Sequence, residues 1–285
     1  MKKLSERIAK GVFLMCGLIT VTCVLVITIY LIVSGLPAIR KIGFFNFMFG
    51  TTWSPTSQEA QFGILPFILT SIYGTCGAIV IGVPIGFFSA VYLSKFAPKI
   101  VKNVICAMVS LLASIPSVVY GLIGMLVIVP LVRQIFGLPD GASLFSAIIV
   151  LSVMILPSII NVSMTALDAV PKKYEEGSLA LGATKSETYF RVSVVSAKSG
   201  IIASIVLGVG RAIGEAMAVM MVAGNACNMP SMFESVRFLT TAVASEMSYA
   251  SGLQRQALFS IALVLFVFIM LINATLRFFG KKEGK

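Results

Sequence analysis

Long apolar runs recur along this chain and decide what it can fold into. Of its 285 residues, 58% are hydrophobic and only 12% are charged, about half the charged share of an ordinary soluble domain. A run of about 20 apolar residues matches the thickness of a hydrocarbon core. Because a backbone inside lipid must satisfy its own hydrogen bonds, we predict an all-α integral membrane protein with six transmembrane helices.

The apolar runs also divide the chain into units. The predicted spans cover about residues 12–33, 62–93, 104–131, 144–164, 199–223 and 257–279. The predicted units are an N-terminal transmembrane helix (1–34), an outer, periplasmic or interfacial segment (35–64), a core of five spans (65–279) with a cytoplasmic loop (165–198), and a cytoplasmic tail (280–285). The first run is too long for the apolar part of a cleavable signal peptide, so we expect it to stay as a helix.

Basic residues predict the orientation of these spans. Of the 22 lysines and arginines, sixteen fall on the side that holds both termini and the loop 165–198. Five fall on the other side, namely Arg40, Lys41, Arg133, Arg237 and Arg255, and Arg211 lies inside a span. Because cytoplasmic loops are enriched in lysine and arginine, the bias predicts that both termini are cytoplasmic.

Phenylalanines cluster just after the first span, at positions 44, 45, 47 and 49. Aromatic rings at this density favour a segment that lies in the membrane interface on the outer face. A loop that packs on the chain's own helices explains the cluster equally well.

Composition excludes several functions. Histidine is absent, which removes the commonest metal ligand and general base and argues against a zinc enzyme or a serine hydrolase. The five cysteines form no C-x-x-C pair and are interpreted as apolar packing residues. Although the net charge is +11, the basic residues sit in short runs beside spans, so we expect no nucleic-acid partner.

The longest charged segment, residues 170–195, must face water between two spans. Its sequence predicts a helix, a glycine turn at Gly182 and a second helix that starts near Thr184. Such an elbow is either a docking element or a charged loop without a special role. Gly177 and Gly182 have the first spacing of a phosphate-binding loop, but Lys185 comes too late, so no ATP-binding cradle is expected here.

Arg211 and Glu215 are predicted inside the fifth span. Four residues apart, they would lie on one face of a continuous helix. An arginine in the membrane is costly and must be paired or hydrated. The pair is therefore either an internal salt bridge or a site where the guanidinium binds an anion. Earlier in the chain, the third predicted span contains Pro116, Ser117 and Tyr120. The hydroxyls of Ser117 and Tyr120 are tolerable in a membrane only against protein or a water-filled path.

Together these segments resemble the permease subunits of phosphate-specific ABC importers, the PstC type more closely than the PstA type. The matching segments are Trp53-Ser54-Pro55, residues 62–67, residues 115–121, the elbow from Glu176 to Thr184, and residues 210–216. The elbow departs from the family pattern at Gly177 and Ser178, where alanines are usual, and at residues 192–195, where the usual proline is missing.

The resemblance implies a type I ABC importer permease fold and uptake of inorganic phosphate, with no catalytic residues, cofactor or metal in this chain. The implied partners are a second, PstA-like permease, a pair of PstB-like ATPases, a PstS-like extracytoplasmic phosphate-binding protein and the lipid bilayer of the bacterial inner membrane. The implied substrate path contains Arg211, Glu215, Ser117 and Tyr120. The implied ATPase-coupling residues are Glu175, Glu176, Gly182, Ala183 and Thr184. Alternatives are a sulfate or molybdate permease, an ATP-independent anion transporter and a membrane scaffold.

Overall fold

The chain is folded almost entirely into helices. The computed structural model describes the backbone of residues 2–282 and the side chains of residues 9–275, so the predicted tail lies mostly outside the described residues. The helices are α1 (Lys2–Ile42), α2 (Phe44–Phe49), α3 (Leu65–Val91), α4 (Lys99–Ser114), α5 (Ser117–Ile123), α6 (Val129–Phe136), α7 (Leu144–Asp168), α8 (Lys172–Ala180), α9 (Lys185–Thr188), α10 (Val194–Ser196), α11 (Lys198–Gly214), α12 (Met217–Val222), α13 (Leu239–Glu246) and α14 (Gly252–Lys282).

Short irregular elements complete the architecture of the described residues. π-helical turns continue three of the helices and are named π1 (Tyr92–Phe96), π2 (Gly124–Ile128) and π3 (Tyr189–Ser193). One antiparallel hairpin of β1 (Trp53–Ser54) and β2 (Gln61–Phe62) pairs Trp53 with Phe62.

The membrane-spanning helices agree with the predicted number. Within the described residues, five helices are long and apolar enough to cross a membrane, or six if the bent pair Lys185–Ser196 and Lys198–Gly214 is one span. The other spans are Ala9–Ile42, Leu65–Phe96, Ser117–Phe136, Leu144–Asp168 and Gly252–Thr275. The all-α, multi-span fold is therefore confirmed.

Helix α7 forms the centre of the bundle and packs against α3 on one side and α11 on the other. Contact with α3 is close because glycines of α3 face isoleucines of α7. A Cβ added to Gly82 would lie 2.6 Å from Ile155 Cδ1, and one added to Gly86 would lie 2.8 Å from Ile159 Cγ2. Small residues of this kind let two helix backbones approach without a hydrophobic driving force in lipid.

The first part of helix α1 is not covered by the other helices. Its apolar side chains from Val12 to Val33 are largely exposed, and its later part packs against α14. There the Ser260 hydroxyl donates to the Gly35 carbonyl at 2.6 Å. The helix continues past residue 34 to Ile42. In the phenylalanine cluster that follows, Phe47 is buried, whereas Phe44, Phe45 and Phe49 are exposed.

The predicted third span, residues 104–131, is wrong in its limits. The helix breaks at Ile115 and Pro116, both of which are extended. Proline has no N–H to donate and disfavours a helical conformation at the residue before it. The observed span therefore starts at Ser117 and ends at Phe136, and the residues before the break form a separate helix, α4.

Candidate functional site

The predicted fifth span is interrupted at Glu215. Helix α11 ends at Gly214, and the Glu215 backbone is extended at φ −75° and ψ 128°. The Glu215 carboxylate accepts a hydrogen bond from the Ala218 N–H at 2.9 Å, which satisfies a donor in the first turn of α12. The expectation that Arg211 and Glu215 share one face of a continuous helix is therefore wrong.

Arg211 lies in the last turn of α11. It is half-buried, and its guanidinium donates to the hydroxyl of Ser158 on α7 at 3.4 Å. Within the described residues it forms no ion pair with Glu215 or with another carboxylate. Since a guanidinium carries five N–H donors, Arg211 keeps donors available for an anion, and Ser158 joins it as a residue that the sequence alone did not single out.

One side of α11 near Arg211 is open. A Cβ added to Gly210 or Gly214 would meet no atom within 4 Å, whereas one added to Gly208 would lie 3.1 Å from Ile159 of α7. The helix thus packs on α7 through Gly208 and leaves its other face accessible along the turn that carries Arg211.

Tyr120 and Ser117 both follow the proline break, but they differ in burial and in hydrogen bonding. Tyr120 is buried, and its hydroxyl donates to the Leu112 carbonyl at 2.6 Å. That carbonyl belongs to the last turn of α4 and also accepts from the Ile115 N–H at 3.3 Å, so the tyrosine adds a second hydrogen bond at the helix end. Ser117 begins α5 and is half-buried. Their place in a substrate path stays a prediction, and Tyr120 has a structural task besides it.

The elbow has the geometry that its sequence predicts. Helix α8 ends in a Schellman motif, in which the Gly182 N–H binds the Leu179 carbonyl at 3.0 Å and the Ala183 N–H binds the Ser178 carbonyl at 3.3 Å. Gly182 has the left-handed conformation, at φ +89°. Thr184 then starts α9 with a capping box, because its hydroxyl accepts from the Glu187 N–H and the Glu187 carboxylate accepts from the Thr184 N–H.

Two adjacent glutamates of the elbow point to different surroundings. Glu176 is exposed. Glu175 accepts hydrogen bonds from Lys95 at 2.6 Å and from the Ser193 hydroxyl at 2.7 Å. Burial tends to raise the pKa of Glu175, but the hydrogen bonds from Lys95 and Ser193, with the charges of Lys95 and Lys172, hold that pKa below its ordinary value.

The tip of the elbow is apolar and exposed. Leu181, next to the glycine turn, is 91% exposed, and Tyr174 and Leu179 on α8 are also exposed. A leucine this exposed beside a rigid turn is a candidate contact with another protein. The elbow therefore combines fixed backbone geometry with a protruding apolar residue.

A buried cluster at the other end of the bundle was not anticipated from the sequence. Glu246 is only 5% exposed and accepts from the Trp53 indole N–H at 3.2 Å, from Arg237 and from Gln254 at 2.9 Å. Arg237 also donates to the Asn225 carbonyl at 2.9 Å. This outer cluster (Trp53, Arg237, Glu246 and Gln254) ties the β-hairpin to α13 and α14. The only hint of it in the sequence is that Trp53 is the sole tryptophan.

No group of three or more potential metal-ligating side chains occurs among the described residues, and the cysteines are free thiols. A bundle of membrane spans joined by an exposed helical elbow, with an arginine at a break in one span, fits the class of membrane transport permeases. The chain belongs to the family of binding-protein-dependent transport system inner membrane components, whose profile matches residues 82–284.

Named relatives agree with this family. A probable ABC transporter permease, YqgH of Bacillus subtilis, is 38% identical over 95% of this chain and 91% of its own length. The phosphate transport system permease PstC of Haemophilus influenzae is 34% identical over 94% of this chain and 90% of its own. Among solved structures, a bacterial alginate ABC transporter in complex with an alginate-bound periplasmic protein aligns with a TM-score of 0.60 at 16% identity, over 96% of this chain and 94% of that one, which shows the fold alone.

Proposed function

We propose that this chain is a permease subunit of an importer for inorganic phosphate and that Arg211 binds the anion during its passage. The observation that carries the proposal is a half-buried arginine at the end of a membrane helix, whose polar partner is a serine hydroxyl and which pairs with no carboxylate of the described residues. Guanidinium groups bind phosphate oxygens in a bidentate manner. The similarity to a PstC permease supports phosphate as the anion.

The transport cycle that suits this chain is alternating access. Closure of an ATPase pair moves the elbow, and the motion passes through the neighbouring helices to open the path to the outer side. We assign contact with the ATPase to Glu176, which is exposed on α8, and to Leu181 and Ala183, which lie in the turn that follows α8. ATP hydrolysis belongs to the partner chains.

The proposed assembly contains a second, PstA-like permease, two PstB-like ATPases and a PstS-like phosphate-binding protein on the outer side. In this arrangement the elbow and both termini are cytoplasmic. The excess of lysine and arginine on that side supports the orientation.

Uptake of radiolabelled inorganic phosphate into vesicles tests the assignment of Arg211. We expect Arg211→Ala to abolish ATP-dependent uptake and Arg211→Lys to reduce it strongly, because lysine keeps the charge but loses the bidentate geometry. Arg133→Ala is the matched control, since Arg133 is exposed on α6 and we expect no effect there. Wild-type uptake by Arg211→Ala would overturn the role of Arg211.

Competition with other oxyanions tests the substrate. We expect excess unlabelled phosphate to suppress uptake, while sulfate and molybdate leave it unchanged. Uptake that sulfate or molybdate suppresses more strongly than phosphate would assign the permease to that anion. Uptake that continues without ATP would instead identify an ATP-independent transporter.

A further inference from the structure

The Glu175 side chain is bound by two different parts of the bundle. Lys95, in π1, forms an ion pair with it at 2.6 Å, and the two side chains are only 10% and 18% exposed. Ser193, in π3, is buried and donates its hydroxyl to the same carboxylate oxygen. Glu175 itself lies on α8. One carboxylate therefore joins the elbow to the end of α3 and to the turn that leads into α11.

Contacts beside this carboxylate reinforce the same junction. The rings of Phe96, in π1, and Tyr189, in π3, meet edge to face with centroids 5.0 Å apart. Ser178 on α8 and Thr188 on α9 share a hydrogen bond of 2.9 Å. The elbow is thus held to both neighbouring helices by polar and aromatic contacts at once.

The residue before Lys95 binds a second acidic group. Ser94 donates to Asp168 at 2.6 Å, and Lys102 of α4 forms an ion pair with the same side chain at 2.9 Å. Asp168 is the last residue of α7. Both binding residues Ser94 and Lys95 lie in a π-helical turn, an irregularity that is rare and frequent at functional sites.

We propose that Glu175 is a positioning residue that clamps the elbow to α3 as well as to α11, so that force on the elbow reaches both helices together. The clamp is defined as Glu175, Lys95 and Ser193. This inference rests on the proposed function in one respect, namely that the elbow receives force from an ATPase. It differs from the expectation that Glu175 contacts the ATPase, because the carboxylate faces the bundle and not the solvent.

Without the clamp the elbow would still dock, but its motion would be passed on incompletely. The quantity that responds is the coupling ratio, defined as phosphate taken up per ATP hydrolysed. A residue that only stabilises the fold would lower the amount of assembled importer and leave this ratio unchanged. The ratio therefore separates a positioning role from a structural one.

The test uses the importer assembled with its co-purifying ATPase and second permease in lipid nanodiscs and vesicles. We expect Glu175→Gln and Lys95→Met to retain ATP hydrolysis, to lower the coupling ratio about tenfold and to speed amide hydrogen exchange in residues 172–188, because each variant removes a charged hydrogen bond. Ser193→Ala, which keeps the ion pair, should cause a smaller change of the same sign.

A charge exchange and a matched lysine complete the design. Lys95→Glu combined with Glu175→Lys should recover most of the coupling ratio, because the ion pair is rebuilt in reverse. Lys99→Met should have no effect, since Lys99, at the start of α4 and four residues after Lys95, is exposed and forms no ion pair within the described residues.

Two results would overturn the clamp. One is a wild-type coupling ratio and wild-type exchange in both Glu175→Gln and Ser193→Ala. The other is a charge-exchanged variant that is no better than the single variants. If the wild-type importer takes up no phosphate, the proposed function fails, and the exchange rates in residues 172–188, which need no substrate, still decide whether the clamp exists.

Discussion

Three side chains at interruptions of the membrane helices bind backbone groups that the interruptions expose. Tyr120 donates to the Leu112 carbonyl at the end of α4, and Glu215 accepts from the Ala218 N–H at the start of α12. Asn225 donates to the Met220 carbonyl at 2.6 Å near the end of α12. Because lipid offers no hydrogen bonds to free peptide groups, these residues make the broken helices compatible with a membrane.

The Tyr120 hydroxyl offers a direct test at this scale. We expect Tyr120→Phe to destabilise the protein by about 0.5–1.5 kcal/mol, since the carbonyl of Leu112 loses one of its two hydrogen bonds and keeps the one from the Ile115 N–H. Thermal unfolding in detergent measures the effect. Tyr73→Phe is the control, because Tyr73 is 50% exposed on α3, and an equal loss of stability in both variants would contradict the assignment.

Glu175 predicts a pH dependence of the elbow. Its pKa is lower in the folded protein than its ordinary value, so the carboxylate contributes stability that is fully present above the ordinary pKa of a glutamate. That stability is lost as the pH falls through the folded-state pKa, when the proton displaces the bonds from Lys95 and Ser193 and weakens the attraction of Lys172.

The measurement is the amide protection factor of residues 172–188, corrected for intrinsic exchange, between about pH 7 and about pH 3.5. We expect protection to fall towards the acidic end in the wild-type chain. In Glu175→Gln the protection should be lower at neutral pH and should fall less towards acid, with a remaining fall due to Glu187, whose pKa the hydrogen bonds from Thr184 also lower. A wild-type profile that stays flat would contradict the contribution of this carboxylate.

Among the elements, the elbow is the most completely specified by local sequence. Its first helix ends in hydrogen bonds that require a left-handed residue, and Gly182 supplies it at φ +89°. Its second helix begins with reciprocal bonds between Thr184 and Glu187. The end of α8 and the start of α9 are therefore fixed by bonds within the elbow itself.

Two glycines of the elbow provide a matched comparison. Gly182→Ala should destabilise the turn by about 1–2 kcal/mol, because an L-residue is strained in the left-handed conformation. Gly177→Ala should be neutral or stabilising, since Gly177 lies within α8 and an added Cβ meets no atom within 4 Å. Hydrogen exchange in residues 172–188 measures both, and faster exchange in Gly177→Ala than in Gly182→Ala would refute the assignment of the turn.

Sequence reasoning reached the elbow because its signals are local, and it failed where a break depends on tertiary contacts. Pro116 indicates an interruption, but the apolar residues on both sides of it favoured a single membrane span. The four-residue spacing of Arg211 and Glu215 was misleading, because α11 ends at Gly214 and the Glu215 carboxylate binds a backbone N–H of α12. Ser158, Lys95 and Glu246 acquire their roles from residues far away in the chain, so no local pattern could reveal them.

At the scale of the whole molecule, the elbow and the outer cluster lie at opposite ends of the bundle. The inner end is held by Glu175 and Asp168, and the outer end by Glu246. Glu175 and Glu246, which are largely buried, each pair with a lysine or arginine, because an unpaired charge in surroundings of low polarity is costly. Between these two ends, spans such as α3 and α7 pack through complementary small and large side chains.

Cysteine labelling tests the proposed orientation of these two ends. In a background without the five native cysteines, Leu181→Cys in the elbow and Glu59→Cys in the β-hairpin place one exposed thiol at each end. We expect a membrane-impermeant reagent added outside whole cells to label Glu59→Cys and to reach Leu181→Cys only after the membrane is opened. The reverse pattern would invert the topology and remove the elbow from the ATPase.

The bond between Trp53 and Glu246 joins residues that are 193 positions apart, which has a consequence for biogenesis. A ribosome delivers Trp53 early, but its carboxylate partner emerges only when the last span is about to follow. Until then the indole N–H lacks its carboxylate acceptor, and the hairpin lacks this bond to α13. The outer cluster is therefore completed last, after insertion of the preceding helices, and a chain truncated before α13 would lack its central carboxylate.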